Sequence, residues 1–159
     1  MYDVYRELIE TLAATPETLA GLLRGVDEAQ ARSAKGGDEG WSVIEVICHL
    51  RDAEEIGLAR MKAMRDQDNP QIIGFDQDEL AREKKYAQDN LASALADFTH
   101  MRAEYVAELA ALTPEQWQRP GHHNEIGDIN ILAHTAHRTY HDAIHCAQIA
   151  RQLTVISDQ

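Results

Sequence analysis

The chain has 159 residues, 44% of them hydrophobic and 26% charged, which suits a single domain over 1–159 with a core of useful size. Its 27 acidic and 15 basic side chains leave a formal charge of −12, a field that repels a phosphate backbone and argues against nucleic acid as a partner. No run approaches the roughly 20 apolar residues of a membrane span, and the opening Met1-Tyr2-Asp3-Val4 lacks the basic start of a secretion signal, so a cytoplasmic setting without a membrane partner is expected.

The first helical tract runs from about Val4 to Leu23, where Tyr5, Leu8, Leu12, Leu19, Leu22 and Leu23 recur near the helical period. Thr15-Pro16-Glu17 interrupts it, predicting either one kinked helix or two short ones. Gly25 ends the tract, and Lys35-Gly36-Gly37-Asp38-Glu39-Gly40 reads as a turn-rich loop. Ser42 and Glu45 stand at capping-box spacing and open a second helix, whose apolar side includes Val43, Ile44, Ile47, Leu50, Leu58 and Met61 up to the stop at Asn69-Pro70. A third helix is expected from about Gln77 to Leu112, followed by a short turn at Thr113-Pro114-Glu115-Gln116-Trp117. After the irregular stretch Arg119 to Gly127, Asp128 or Asn130 can cap a last helix from about Ile129 to Leu153. Four long helices without an alternating strand pattern predict an all-α four-helix bundle.

Eight histidines stand out against this frame. His141 and His145 are four residues apart on the last helix, so their rings project from nearly the same side and can grip one ion. His49 sits on the apolar side of the second helix and supplies a third ligand. His137 shares the stripe of His141 and His145, but the drift of about 40° per four-residue step strains a three-ligand grip from one helix. Its expected place is the pocket wall beside the ligands. Asp52, nearly one turn after His49, is expected to accept from an imidazole N–H or to pair with an arginine, and Gln148 to orient the His145 ring or lie on the helix surface. Glu45 is assigned to its cap. His100 reads as a surface or interface residue, and His122 and His123 as loop residues that rim a pocket or stand in solvent. His134 has no assigned role. Cys48 and Cys146 are too few for a disulfide framework, and each is adjacent in sequence to a candidate ligand, which turns it about 100° away. Both read as small core-filling side chains.

Gly40-Trp41-Ser42 with Glu45, His49-Leu50-Arg51-Asp52-Ala53-Glu54, and His141-Asp142 with His145, Gln148 and Ile149 together resemble the DinB-like superfamily of metal-binding four-helix bundles. The resemblance spans essentially the whole chain, including the Thr15-Pro16 break and the Leu112 to Trp117 turn. It implies that His49, His141 and His145 bind a divalent metal, with zinc or nickel as the expected ion, and that the protein forms a homodimer. It further implies a thiol transferase that uses bacillithiol, mycothiol or glutathione against an electrophilic small molecule.

Three neutral imidazoles leave an ion its positive charge and open positions for water or substrate, which separates a reactive centre from a closed structural one. The expected function is therefore a metal-dependent transferase of low-molecular-weight thiols. A metal-dependent hydrolase, or a metal-binding stress-response protein without turnover, are the alternatives.

Overall fold

Asp3 opens α1 (Val4–Leu22) by accepting the Arg6 backbone N–H at 3.2 Å. The computed structural model, described over residues 3–36 and 40–157, carries α1 through Pro16 as one helix. Proline has no N–H, so the carbonyl of Leu12 four residues earlier loses its helical donor. Arg102 Nη1 takes that place at 2.8 Å. The Pro16 break is thus repaired by a side chain from another helix.

A short α2 (Glu28–Ser33), capped reciprocally by Asp27 and Gln30, follows the left-handed Gly25 and was not expected from the sequence. The paired segments β1 (Lys35–Gly36) and β2 (Trp41–Ser42) lead into α3 (Val43–Asp66); residues 37–39 of the expected loop lie outside the described residues. The box at Ser42 and Glu45 is complete. Ser42 Oγ accepts from Glu45 N at 3.3 Å, and Glu45 Oε2 accepts from Ser42 N at 2.7 Å.

The expected third helix from Gln77 to Leu112 is in fact divided. After β3 (Gln71–Ile72), α4 (Gln77–Glu83) ends at a left-handed Lys85 with φ 55°, and a 3-10 turn (Tyr86–Gln88) precedes α5 (Leu91–Ala110). The break follows from capping chemistry, since Asn90 Oδ1 accepts Ser93 N at 2.9 Å and starts a new helix. A second 3-10 turn (Gln116–Gln118) leads to β4 (Pro120–His123) and β5 (Gly127–Asn130), a hairpin where the sequence reads as irregular. β3 joins β4 in parallel, pairing Gln71 with His122 and Ile72 with His123. α6 (Ile131–Ser157) starts after Asn130, whose side chain accepts Ala133 N at 2.8 Å, so Ile129 belongs to the strand.

The long helices α1, α3, α5 and α6 form a four-helix bundle in which α3 packs on α5 and α6, and α1 packs on the same two. α1 therefore lies diagonal to α3, and α5 diagonal to α6. Both sequence-consecutive diagonal steps are bridged by the small paired segments.

Two apolar clusters fill the bundle. One gathers Leu19, Ile44, Ile47, Leu50, Phe98 and Ile149, the other Leu12, Met61, Tyr105, Leu109, Trp117 and Ile131. Between them each long helix contributes polar or charged groups: Thr15 from α1, Glu54 from α3, Arg102 from α5, Arg138 and Asp142 from α6, all buried. Arg102 grips Glu54 with Nε and Nη2 at 2.6 and 2.8 Å and reaches Asp142 Oδ2 at 2.6 Å. Arg138 Nη2 donates to Glu54 at 3.0 Å, and Thr15 Oγ1 to Asp142 Oδ2 at 2.8 Å.

Removing one partner from such a network leaves a buried charge without its counter-ion, an effect of about 3–5 kcal/mol. Arg102→Met is expected to lower unfolding stability by that amount in urea titration, because it strands Glu54 and Asp142 and also frees the Leu12 carbonyl. A loss below about 1 kcal/mol would show that the network does not carry the packing.

Candidate metal centre

His49 on α3 follows one turn after the capping box, at a position where α3 faces α6, and is 3% exposed. α6 presents His141 and His145 to the same space. Each of the three offers a ring nitrogen, and these atoms lie within 4.8 Å of one another. His49 Nε2 and His141 Nε2 are 2.9 Å apart, and the ring centroids are separated by 4.9, 4.8 and 4.5 Å around the trio.

Neighbours fix these rings. Gln148 Oε1 accepts from His145 Nδ1 at 2.8 Å while its amide nitrogen donates to the Gly36 carbonyl at 3.4 Å, so the glutamine is oriented by β1 and in turn sets the His145 tautomer in which Nε2 is the ligating nitrogen. Trp41 lies against His49, with centroids at 5.0 Å. Arg138 Nη1 is 3.4 Å from His141 Nδ1.

Burial is the main reason that His49 is held neutral, with its pKa pushed down to about 3; the His145 ring and the Arg138 guanidinium act in the same direction. His141 is lowered further, again first by burial and then by Arg138. Neutral imidazole is the ligating form. Three converging nitrogen donors, two buried and that of His141 half-buried, without a carboxylate among them suit a divalent transition ion and leave coordination positions open, so the residues fit the metal they are expected to hold.

The other expected residues divide. His137 is exposed, its centroid 6.3 Å from that of His141, beside the convergent set and outside it. Asp52 turns away to Arg51 Nε at 2.8 Å, Tyr86 Oη at 2.6 Å and Lys84 Nζ at 3.1 Å. Burial pushes its pKa up, but the hydrogen bonds from Arg51 and Tyr86 outweigh it and hold the carboxyl below the usual range. Of its two expected roles, the arginine partner is the one in place. Gln148 orients its ring, and Glu45 is committed to its cap.

His122 pairs with Asp128 at 2.7 Å on the hairpin, His123 is buried beneath it, and His100 is exposed on α5. His134 is buried, its Nε2 on the Gly57 carbonyl at 3.1 Å. Burial pushes the Cys48 thiol up to about 12 and that of Cys146 up to about 11, so both stay protonated.

A cavity of about 230 Å³ opens on His49 and His141, walled by Arg60, Phe75, Gln77, His134, His137 and Arg138. Sequence reading missed the two arginines, although spacing carries them. His49, Ala53, Ile56 and Arg60 recur at i, i+4, i+7 and i+11, within about 20–40° of one line on α3. Arg138 precedes His141 by three residues on α6.

The sequence profile of the DinB superfamily matches residues 11–149, and the chain belongs to that superfamily. The fold is shared with the solved structure of YfiT from Bacillus subtilis, a four-helix bundle of unusual topology, with a TM-score of 0.89 at 21% identity over 96% of this chain and 87% of that one. In sequence YfiT is 24% identical over 73% of this chain and 67% of its own length. A protein of Geobacillus thermodenitrificans is 26% identical over 91% of this chain and 81% of its own, and one of Oceanobacillus iheyensis 30% identical over 69% and 63%. All three relatives bear the provisional name of a metal-dependent hydrolase.

Histidines held below the ordinary value of 6.5 take up protons in the unfolded chain before they do so in the folded one. Stability of the metal-free protein is therefore expected to be level from about pH 6.5 to 8 and to fall as pH drops from 6.5 toward about 3, the value to which His49 and His134 are both lowered. Each such group adds up to about 1.4 kcal/mol of loss per pH unit in that window. Urea titrations at pH 7, 6 and 5 after chelator treatment test it, and a stability independent of pH over that range would refute it.

Proposed function

We propose that His49, His141 and His145 bind one divalent ion, zinc or nickel, and that the protein transfers a low-molecular-weight thiol such as bacillithiol, mycothiol or glutathione to an electrophilic small molecule. The observation that carries the reading is the wall of the cavity: its lining, among the described residues, contains histidines and arginines and no carboxylate. A divalent cation held by the three imidazoles would supply Lewis-acid chemistry, favouring the ionised form of a thiol or of water. An ionised thiol is itself the attacking group. Hydrolysis asks in addition for a side chain that moves a proton at the scissile bond, commonly a carboxylate.

The nearby carboxylates are committed elsewhere. Glu45 closes the capping box, Asp52 is held by Arg51 and Tyr86, and Glu54 is gripped by Arg102 and Arg138. His137 is left to handle a proton at the cavity. Burial, then Arg138 and Arg60, lower its pKa, so it is neutral at pH 7 and its ring can accept the proton that a thiol releases. The names of the relatives favour a second reading, a metal-dependent hydrolase in which the same imidazole acts as base. A homodimer is part of the proposal.

Metal analysis of protein purified without a histidine tag is expected to give one ion per chain. Alanine at His49, His141 or His145 should remove most of it, and His100→Ala should not. Equal metal content in all four variants would overturn the ligand assignment.

Conjugation of a reactive electrophile is expected to need both thiol and metal, to collapse in His145→Ala, and to survive serine at both Cys48 and Cys146. His137→Gln should retain the metal and slow turnover by about 100-fold, the lower end for loss of general acid–base assistance. Cleavage of esters or amides without any thiol turnover would establish the hydrolase instead. One bound ion with neither activity would leave a metal-binding protein without turnover.

A further inference from the structure

The cavity beside the histidines runs against the charge of the chain. In a protein of formal charge −12, its wall holds two guanidiniums and four imidazoles and no acidic side chain among the described residues. A concave, low-dielectric wall of one sign concentrates counter-ions of the other.

The two arginines differ in what they lack. Arg138 already shares a counter-charge, because Arg102, Arg138, Glu54 and Asp142 together sum to zero. Its Nε, however, is buried with no hydrogen-bond partner, a donor whose desolvation is uncompensated. Arg60 has the opposite deficit. Its Nη2 donates to the Ile73 carbonyl at 2.5 Å and its guanidinium lies 5.7 Å from the centroid of Phe75, contacts that position it without neutralising it. No carboxylate among the described residues comes within ion-pairing distance of Arg60; Glu125 acts on it from farther away.

Gly57 stands between the two. Arg60 follows it by three residues on α3, and a Cβ on Gly57 would come within 3.3 Å of Arg138 Nε and 3.7 Å of His134 Nε2. A side chain there would crowd the unpaired donor.

We propose that this cavity binds a small carboxylate, its charge met by Arg60 and one oxygen accepting from Arg138 Nε beside Gly57, so that the small-molecule partner of the site is an organic acid. One guanidinium without a direct ion pair and one unpaired directional donor match a planar monoanionic group. A phosphate dianion carries more charge than the single guanidinium of Arg60 balances, and no lysine lines the wall. The volume of about 230 Å³ lies below the roughly 300–1,000 Å³ of pockets for larger ligands, so a short-chain acid fills it. This inference deepens the metal reading by assigning the substrate half of the same cavity. It is testable without the ion.

The test is an NMR titration of the arginine side-chain N–H signals with acetate and succinate, on chelator-treated and metal-loaded protein, with acetamide and inorganic phosphate as comparison probes and metal content measured in parallel. The carboxylates are expected to shift the Arg138 Nε–H signal saturably in both preparations, and acetamide to leave it unchanged. Arg60→Gln, a partly exposed position outside the buried network, should weaken the response at least tenfold while keeping the metal content of the unaltered protein. Gly57→Ala should weaken it as well.

No saturable shift, an equal response in Arg60→Gln, or tighter binding of phosphate than of the carboxylates would overturn the proposal. Loss of metal binding with carboxylate binding intact would count against the ligand assignment alone, and the reverse against the carboxylate site alone.

Discussion

The molecule is organised around the guanidinium of Arg102. From α5 it grips Glu54 on α3, reaches Asp142 on α6 across the diagonal of the bundle, and caps the Leu12 carbonyl that Pro16 leaves without a donor in α1. One side chain thereby ties all four long helices at the level where the two apolar clusters meet. Apolar packing above and below tolerates changes of size, whereas this layer does not tolerate a change of register. A helix shifted by one turn would bury a carboxylate or a guanidinium without its partner, at a cost of several kcal/mol.

The same layer supports the site. Arg138 turns from Glu54 toward His141, so the charge network ends where the histidine cluster begins. Its positive charge, added to burial, keeps His141 and His49 neutral with their lone pairs available. Structural electrostatics and ligand readiness are therefore linked. The link also explains why the cavity is cationic inside an acidic protein: the carboxylates that would balance it are drawn inward to the network or outward to caps, leaving Arg60 to face the open space.

Helix boundaries that depend on local chemistry were legible. The Ser42 and Glu45 box and the Asn130 cap follow from neighbours three residues apart, and the His141 and His145 pair from the turn of one helix. The split between α4 and α5 was hidden because apolar recurrence continues through it, and only the Asp89-Asn90 pair before Leu91 signalled a restart. The strand segments were hidden for a different reason. Two to four residues are too short to show alternation, and β3 pairs with β4 some fifty positions away.

Periodicity and capping in the sequence by themselves determined the bundle class, the helix faces that are buried, and the convergence of His141 and His145, because these depend on groups within one or two turns of each other. The meeting of His49 with that pair was expected from its place on the apolar side of its helix and from a likeness of motifs, and only the packing of α3 on α6 brought the nitrogens within 4.8 Å. The tertiary structure chose between roles that spacing left open for Asp52, which Tyr86 joins Arg51 in holding, and for Gln148, which the Gly36 carbonyl holds on His145, and it alone placed Arg60 and Arg138 in one cavity. Each of these depends on which group from a distant segment arrives beside residues that helical spacing leaves with more than one possible partner. Spacing along one helix carries no information about that.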